Sequence, residues 1–256
     1  MSSFLDKIRQ LTLARVEADK KKGLPRESGH EPADALQRFK AARGPRIIAE
    51  VKRKSPSRGQ IAMDLDPVAI AKGYDRAGAT MISVLTEPEY FGGSLETLGN
   101  IRAVLPKSLL LMKDFVLDPF QIQQGRALGA DCVLLIHAFL GEAKLAELHT
   151  HARELGLTPL VEVHDEKELA SAQEIGATLI GVNNRDLHSL QTDLEVSRRL
   201  AKLRKPDIVF VSESGIESRK EIDSLSSIGF DAFLIGTALT KEGHPEGALR
   251  KLLGAP

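Results

Sequence analysis

Charged side chains interrupt four apolar runs of this sequence. Glu50 and Lys52 stand in "RIIAEVK", Lys113 ends "LLLMK", Glu162 stands in "LVEV", and Glu213 stands in "VFVSE". Carboxylates and amines that are held together can donate and accept protons, and a lysine can also stabilise a developing oxyanion. If the fold gathers these three glutamates and two lysines, they predict acid/base chemistry on a small molecule.

An ion-pair network without a catalytic role is the alternative interpretation. Removing charges from water costs several kcal/mol per ion, and a well-packed apolar set is often at least as stable. Clustered ionisable groups that perturb one another are more typical of functional sites. We therefore interpret the five residues as catalytic candidates and add Asn183 in "GVNNRDL" and Ser214 in "VSESG".

A weak internal repeat indicates the elements that must position these side chains. Three apolar runs, "RIIAEVK", "SLLLMK" and "DIVFVSE", read as strands. Five more runs, which lack strict alternation as strands covered on both faces do, each follow a glycine suited to closing a helix. These glycines are Gly78, Gly129, Gly156, Gly176 and Gly229.

The segments between the strands carry signals for helix starts. Asp66 with Pro67, and Asp118 with Pro119, place a capping carboxylate before a proline at the first helical position. Eight strands that alternate with helices predict an α/β protein with a closed (β/α)8 TIM barrel, for which about 250 residues are typical. An open doubly wound sheet is the competitor, but "VKRKSPSRG" is not the glycine-rich phosphate loop which that fold carries after its first strand.

The barrel hypothesis also sets the domain organisation. We expect one domain over residues 1–256, with a helical cap over residues 1–45 and the barrel over residues 46–256. An amphipathic stretch in the cap places apolar side chains on or near one face, namely Phe4, Leu5, Ile8, Leu11 and Val16. Active sites of such barrels lie at the carboxyl ends of the strands, which is where the charged candidates fall.

Two loops at the predicted mouth suit a phosphate group. "SESGI" after the seventh strand offers Gly215, and "LIGTALT" after the eighth strand offers Gly236 and Thr237. Backbone amides of these two loops form the usual phosphate site of a barrel, and Ser55 after the first strand can add a hydroxyl. The sequence therefore predicts a phosphorylated small molecule as the ligand.

Apolar residues near the same strand ends outline a pocket wall. Phe91 and Phe115 follow the second and third strands, while Leu134 and Ile235 lie late in the fourth and eighth. Two phenylalanines beside charged residues can hold an aromatic ring by stacking.

Composition narrows the classes of function. Lys plus Arg and Asp plus Glu both number 35, so the net charge of +0 favours neither nucleic acid nor an anionic membrane. The start of the chain lacks the apolar core of a signal peptide, and no later run approaches a membrane span. Cys132, the single cysteine, excludes an internal disulfide and fits a buried position. We expect a cytoplasmic protein that binds neither nucleic acid nor membrane.

Metal and nucleophilic chemistry have weaker support. His137 and His164 follow the fourth and fifth strands, but no set of histidines and carboxylates has the spacing of metal ligands. We interpret both as solvated loop or rim residues. The sequence also lacks a G-x-S-x-G elbow. We expect no metal, no cofactor and no covalent serine intermediate.

Eight motifs in chain order closely resemble the indole-3-glycerol phosphate synthase family of the tryptophan pathway. They are "IIAEVKRKSPSRG", "VLTEPEYFGGS", "LMKDFVLDPFQI", "GADCVLLI", "LVEVHDEKEL", "IGVNNRDL", "SESGI" and "FLIGTALT". The resemblance implies a lyase that converts 1-(2-carboxyphenylamino)-1-deoxyribulose 5-phosphate to indole-3-glycerol phosphate, with loss of carbon dioxide and water. It also implies an extended amino end and is compatible with a monomer.

The resemblance implies roles for the candidate residues. Lys113 becomes the general acid that protonates the ketone oxygen during ring closure, and Glu162 becomes the base of the later dehydration. Glu50 and Lys52 orient and polarise the reacting centre, with Lys52 near the departing carboxylate. The supporting, phosphate and ring-wall sets are those named above: Asn183, Glu213 and Ser214; Ser55, Gly215, Gly236 and Thr237; and Phe91, Phe115, Leu134 and Ile235.

Some assignments stay open at this point. Proton transfers in such a cluster are coupled, so the division of roles between the two lysines, and between Glu50 and Glu162, is not fixed. Arg185 belongs to the family motif without an assigned role. Other interpretations are a phosphosugar barrel of different activity, such as an isomerase, or a non-catalytic barrel that binds a phosphate ligand. The isomerase of the same pathway would need a cysteine at the end of the first strand, whereas Cys132 falls inside the fourth.

Overall fold

Strands and helices alternate along most of the chain. The computed structural model describes residues 4–52, 54–55, 59–60, 65–187, 189–241 and 243–254, and only the backbone of residues 55, 59 and 60. The first elements are α1 (Phe4–Lys22), α2 (Ala35–Ala41), β1 (Arg46–Val51), β2 (Lys54–Ser55) and β3 (Gly59–Gln60). They are followed by α3 (Pro67–Ala77), β4 (Met81–Leu85), α4 (Leu95–Val104), β5 (Leu110–Lys113), α5 (Pro119–Ala127), β6 (Cys132–Ile136), α6 (His137–Leu140) and α7 (Glu142–Glu154). The last elements are β7 (Thr158–Val163), α8 (Glu166–Glu174), β8 (Leu179–Asn183), α9 (Glu195–Ala201), β9 (Val209–Glu213), α10 (Arg219–Ser227), β10 (Ala232–Ile235), α11 (Thr237–Thr240) and α12 (Pro245–Leu253).

Eight parallel strands close into a barrel. The order is β1, β4, β5, β6, β7, β8, β9 and β10, and β10 pairs with β1 to complete the ring. Strands β2 and β3 form a separate antiparallel hairpin in the loop after β1, which the sequence did not predict. The closed sheet confirms the predicted (β/α)8 fold and brings all eight carboxyl ends to one mouth.

Alternation along each strand divides the core into two layers. Ile48, Leu111 and Leu160 belong to an inner cluster that fills the barrel. Ile47 and Val51 belong to an outer cluster packed between the sheet and the helices. Because Glu50 is two residues beyond Ile48, its side chain also points inward, and the same spacing carries Lys113 and Glu162 into the barrel.

The predicted helix ends are confirmed. Asp66 caps α3 by accepting hydrogen bonds from the amides of the first turn, and Asp118 caps α5 in the same way. In both helices a proline occupies the first turn. The glycines predicted to close helices all have positive φ, between 75° and 108°, namely Gly78, Gly129, Gly156, Gly176 and Gly229.

The amino-terminal segment covers both ends of the barrel. Helix α1 lies beside the loops after β4 and β5, where Phe4 packs edge-on against Tyr90 with 5.1 Å between ring centroids. The chain then passes down the outside, and His30 Nε2 reaches Asp131 Oδ1, just before β6, at 2.7 Å. Helix α2 inserts Phe39 into the inner core at the opposite end.

Only part of the apolar face predicted for α1 is buried. Its buried residues are Ile8, Thr12 and Val16, whereas Leu11 is 43% exposed. A repeat of four residues sets the buried face, and Leu11 lies on its flank. Cys132 is fully buried in the inner core, as predicted. Within the described ranges, no helix combines the length and apolar character that crossing a bilayer requires.

Candidate active site

A cavity of about 420 Å³ opens at the carboxyl ends of the barrel strands. The site residues predicted from sequence border this cavity, except Ser55, whose side chain lies outside the described part of the structure. Those that border it are Glu50, Lys52, Phe91, Lys113, Phe115, Leu134, Glu162, Asn183, Glu213, Ser214, Gly215, Ile235, Gly236 and Thr237. Residues spread over nearly 190 positions of the chain therefore share one site.

Lys113 lies at the centre of the charged cluster. Its Nζ atom is 3.9 Å from Glu50 Oε2, 3.8 Å from Glu162 Oε2 and 3.7 Å from Glu213 Oε2. A second lysine completes the set, because Lys52 Nζ lies 2.7 Å from Glu50 Oε1. The three glutamates come from β1, β7 and β9, so the closure of the barrel creates the cluster.

Burial and the neighbouring charges shift the pKa values of these groups in opposite directions. Burial would lower the pKa of Lys113, but the three carboxylates outweigh it and raise that pKa above its ordinary value. Burial would likewise raise the pKa of Glu50, yet the charges of Lys52 and Lys113 hold that pKa low. Lys113 therefore remains an ammonium donor among the three buried glutamates.

The pKa values of Glu162 and Glu213 shift in opposite directions, although both carboxyl groups lie within 4 Å of Lys113. Burial would raise the pKa of Glu162, but the neighbouring His164 and the charge of Lys113 lower it. The pKa of Glu213 is raised, because burial and the neighbouring carboxylates of Glu162 and Glu50 exceed the attraction of Lys113. One glutamate is thus held as a carboxylate and the other retains a proton more readily.

His164, to which the sequence interpretation gave no role, contacts Glu162 from behind the lining of the cavity. The expectation that His137 and His164 are solvated is wrong, because His137 is buried and the His164 side chain is only 17% exposed. His164 Nε2 lies 3.4 Å from Glu162 Oε1, and His164 Nδ1 lies 3.1 Å from Glu168 Oε2. The spacing of Glu162 in β7, His164 just after that strand and Glu168 in α8 could have indicated this group.

The loop after β9 is held in an unusual conformation. Ser214 has φ of 67° and Gly215 has φ of 80°, so two consecutive residues are left-handed. The Asn184 side-chain amide donates to the carbonyl oxygens of Glu213 and Ser214 at 2.9 Å and 3.1 Å. Because a serine at positive φ is strained, this brace stabilises the turn that carries Gly215 into the cavity.

The wall of the cavity differs in one detail from the predicted one. Phe91 and Phe115 lie 6.3 Å apart between ring centroids, and Leu134 belongs to the inner core. Ile235 borders the cavity, but it belongs to the outer cluster, and Leu234 is the residue of β10 in the inner one. Arg185, Phe4, Leu187 and Leu190 also border the cavity without having been predicted as site residues.

An eight-stranded parallel barrel whose mouth gathers three glutamates around a lysine defines a class, that of the TIM-barrel enzymes. Within it, a family model described as indole-3-glycerol phosphate synthase matches residues 5–252. The chain belongs to the indole-3-glycerol phosphate synthase family, whose members are decarboxylating lyases of tryptophan biosynthesis.

Individual relatives agree with this membership. The chain is 48% identical over 226 residues to an indole-3-glycerol phosphate synthase of Dehalococcoides mccartyi, covering 88% of this chain and 87% of the relative. It is 42% identical over 265 residues to that of Rhodospirillum rubrum, covering 99% of this chain and all of the relative. Such coverage includes the amino-terminal helices as well as the barrel.

Solved structures of more distant proteins share the fold. A 3-hexulose-6-phosphate synthase from Salmonella typhimurium has a TM-score of 0.67 at 17% identity, covering 82% of this chain and 97% of that one. A thiamine phosphate pyrophosphorylase from Pyrococcus furiosus has a TM-score of 0.63 at 17% identity, covering 86% of this chain and 96% of that one. At such identities the likeness supports the barrel fold alone.

Proposed function

We propose that this chain closes the indole ring of 1-(2-carboxyphenylamino)-1-deoxyribulose 5-phosphate and releases indole-3-glycerol phosphate, carbon dioxide and water. The observation that carries the proposal is the position of Lys113 Nζ, within 4 Å of Glu50, Glu162 and Glu213 in the mouth cavity. Membership of the family supports the identity of the substrate.

The first step requires an acid at the ketone of the substrate. A new bond joins the ring carbon that bears the carboxylate to the ketone carbon, and the ketone oxygen takes a proton from Lys113. Because its pKa is raised, Lys113 is an ammonium ion at neutral pH and can supply that proton. We assign Lys52, paired with Glu50, to the carboxylate. That carboxylate then leaves as carbon dioxide, and the electrons of its bond to the ring return to the ring.

The second step requires a base. The hydroxyl group formed from the ketone leaves as water, and the carbon next to the ring nitrogen loses a proton. We assign the acceptor to Glu162, whose lowered pKa keeps it a carboxylate. Asn183, Glu213 and Ser214 support the same centre. Lys113, which takes up a proton from solvent after ring closure, gives this second proton to the departing hydroxyl.

Binding groups are assigned to the rest of the cavity. We assign the phosphate to the backbone amides of Gly215, Gly236 and Thr237, with the hydroxyl of Ser55 beside them. The anthranilate ring is assigned to the wall formed by Phe91, Phe115, Leu134 and Ile235. Gly215 follows β9 and Phe115 follows β5, and these two strands lie four positions apart in the ring of eight, which suits a substrate with a phosphate at one end and an aromatic ring at the other.

The proposal also covers the oligomeric state of the protein, its location in the cell, its cofactors and its partners. We propose that residues 1–256 act as one domain and as a monomer, in the cytoplasm, without metal or cofactor and without binding nucleic acid or membrane. The charged substrate and product support a site of action inside the cell. Light scattering after size-exclusion chromatography tests the monomer, since a mass of twice 27.9 kDa would contradict it.

The test of the activity is fluorescence-monitored formation of the indole product from the carboxyphenylamino substrate, with purified protein and an added chelator. We expect a rise that survives chelation. No rise with well-folded protein would contradict the proposal. Calorimetric titration with the same substrate would then distinguish a non-catalytic barrel, which binds it, from a barrel enzyme of another phosphosugar.

A further inference from the structure

A chain of three ionisable side chains leads from the active site to helix α8. Glu162 Oε1 and His164 Nε2 are 3.4 Å apart, and His164 Nδ1 and Glu168 Oε2 are 3.1 Å apart. Glu168 is itself fixed, because its Oε2 accepts from the His164 backbone amide at 2.8 Å. His137 Nδ1, from α6, lies 3.7 Å from the other oxygen of Glu168.

The charges around His164 favour its protonated form. Glu162 on β7 and Glu168 on α8 face its two ring nitrogens, while Lys113 lies beyond Glu162 and His137 beyond Glu168. Burial would lower the pKa of His164, but the two carboxylates raise it to about 10. The imidazolium carries an N–H on both nitrogens, of which Nδ1 hydrogen-bonds Glu168 and Nε2 faces Glu162 as an ion pair without a hydrogen bond.

This arrangement separates the two glutamates that share Lys113. Glu162 has two cations beside it, Lys113 and His164. Among the described residues, Lys113 is the only cation within ion-pair distance of Glu213. Lys52 pairs with Glu50 and His164 with Glu162, so Glu213 depends on the shared Lys113 alone. The buried carboxylate with the weakest compensation loses its charge at the lowest cost. The position of His164 therefore decides which of them gives up its charge.

We propose that His164 is a positioning residue which, held by Glu168, keeps Glu162 in place as the charged base. In this arrangement Glu213 is the carboxyl group that holds a proton beside Lys113. The proposal rests on the proposed function for its catalytic consequence. The array formed by Glu162, His164 and Glu168 can itself be tested without substrate.

The substrate-free test is NMR titration of the histidine ring protons of the full chain. The His164 signal is assigned by its loss in His164→Gln. We expect its midpoint at least about 1.5 pH units above the ordinary histidine value of about 6.5, and we expect it to fall in Glu168→Gln. A midpoint below about 8 would overturn the array, because an imidazole between two carboxylates must titrate high.

The catalytic test is the pH profile of kcat/KM with the carboxyphenylamino substrate. Removing the positive charge beside Glu162 raises the pKa of that carboxyl, so a higher pH is needed to form the base. We expect the acid limb of His164→Gln to move up by about one pH unit or more, with a smaller shift for Glu168→Gln. His151→Gln, which removes a histidine of α7 that borders no part of the cavity, is the matched control and should leave the profile unchanged.

The outcomes separate the two proposals. An acid limb of His164→Gln that superimposes on that of the parent overturns the positioning role. If His164→Gln does not fold, the acid limb of Glu168→Gln and the NMR midpoint of the parent decide in its place. A parent that shows the high midpoint but turns over no substrate overturns the proposed function and leaves the array standing.

Discussion

Lys113 is the residue on which the proposed chemistry depends most. In Lys113→Ala the ketone oxygen loses its proton donor, and Glu50, Glu162 and Glu213 lose their shared cation. Because general acids contribute about 10²–10⁴-fold to rates, we expect kcat to fall by at least that factor while circular dichroism shows an intact fold. Steady-state kinetics with the carboxyphenylamino substrate measures the loss.

The control is Lys107→Ala, an exposed lysine before the same strand. It should retain the parent rate. Turnover of Lys113→Ala within a few-fold of the parent would remove Lys113 from the role of general acid.

The absence of a side chain at Gly236 is also a feature of the site. A Cβ atom there would overlap Glu50 Oε1 and lie 3.0 Å from Lys52 Nζ, although φ is −123° and the backbone accepts alanine. Gly236→Ala should therefore displace the ion pair and lower kcat/KM at least tenfold, with little loss of stability.

The control is Gly247→Ala, where no atom of the described residues lies within 4 Å of the added Cβ. It should keep full activity and raise the free energy of unfolding by about 0.5–1 kcal/mol. Equal activity of the two variants would contradict this account of the packing.

Helix α1 acts on the site through the loop after β5. Arg15 Nη2 lies 2.6 Å from Asp114 Oδ1, and Asp114 also accepts from the Thr86 hydroxyl at 2.6 Å and the Phe115 amide at 2.8 Å. Arg15→Ala leaves a buried carboxylate without its cation, so the free energy of unfolding should fall by about 1.5–3 kcal/mol. Because this carboxylate positions Phe115 at the cavity, KM should also rise several-fold. Urea unfolding and steady-state kinetics measure the two effects.

The matched control on the same helix is Lys22→Ala. Its partner is Asp19 at 2.8 Å, but the lysine is 74% exposed, so the loss should be below about 1 kcal/mol. A KM for Arg15→Ala equal to that of Lys22→Ala would show that α1 does not influence the mouth.

At the scale of elements, the sequence predicts the barrel well because its signals are local. The glycine before each apolar run and the Asp-Pro helix starts report conformation within a few residues, and the structure confirms them. Whether a side chain points into the barrel or toward the helices is harder to predict from sequence where the apolar run is continuous. Ile235 and Leu234 are adjacent and equally apolar, so only the register of β10 against β1 shows that Leu234 points inward.

Contacts between distant elements could not be predicted from local signals. The candidate glutamates and lysines were found because charges are rare in buried strands, and the structure brings them together. The pairing of His164 with Glu162 and Glu168 depends on how the loop after β7 turns, and it was missed. The hairpin of β2 and β3 was missed for the same reason, since "KSPSRGQ" carries no alternation of apolar residues.

For the whole molecule, the buried ionisable groups set the pH range of stability. The pKa of Glu168 is lowered to about 2 from 4.5, so its contribution is present above pH 4.5 and is lost as the pH falls toward 2. The pKa of His164 is raised to about 10 from 6.5, so its contribution is present below pH 6.5 and is lost as the pH rises toward 10. The pKa of Glu213 is raised to about 8 from 4.5, because burying its charged form is costly, so its contribution is present below pH 4.5 and is lost as the pH rises toward 8.

These opposite limits predict a maximum of stability near pH 4.5 and a fall of a few kcal/mol in the free energy of unfolding from there to pH 10. Urea unfolding across this range measures it. In His164→Gln the alkaline fall should flatten, since the titrating group is gone, whereas His151→Gln should keep the slope of the parent. A stability that rises between pH 7 and 10, or an equal slope in His164→Gln, would mean that the cation between Glu162 and Glu168 contributes nothing to the fold.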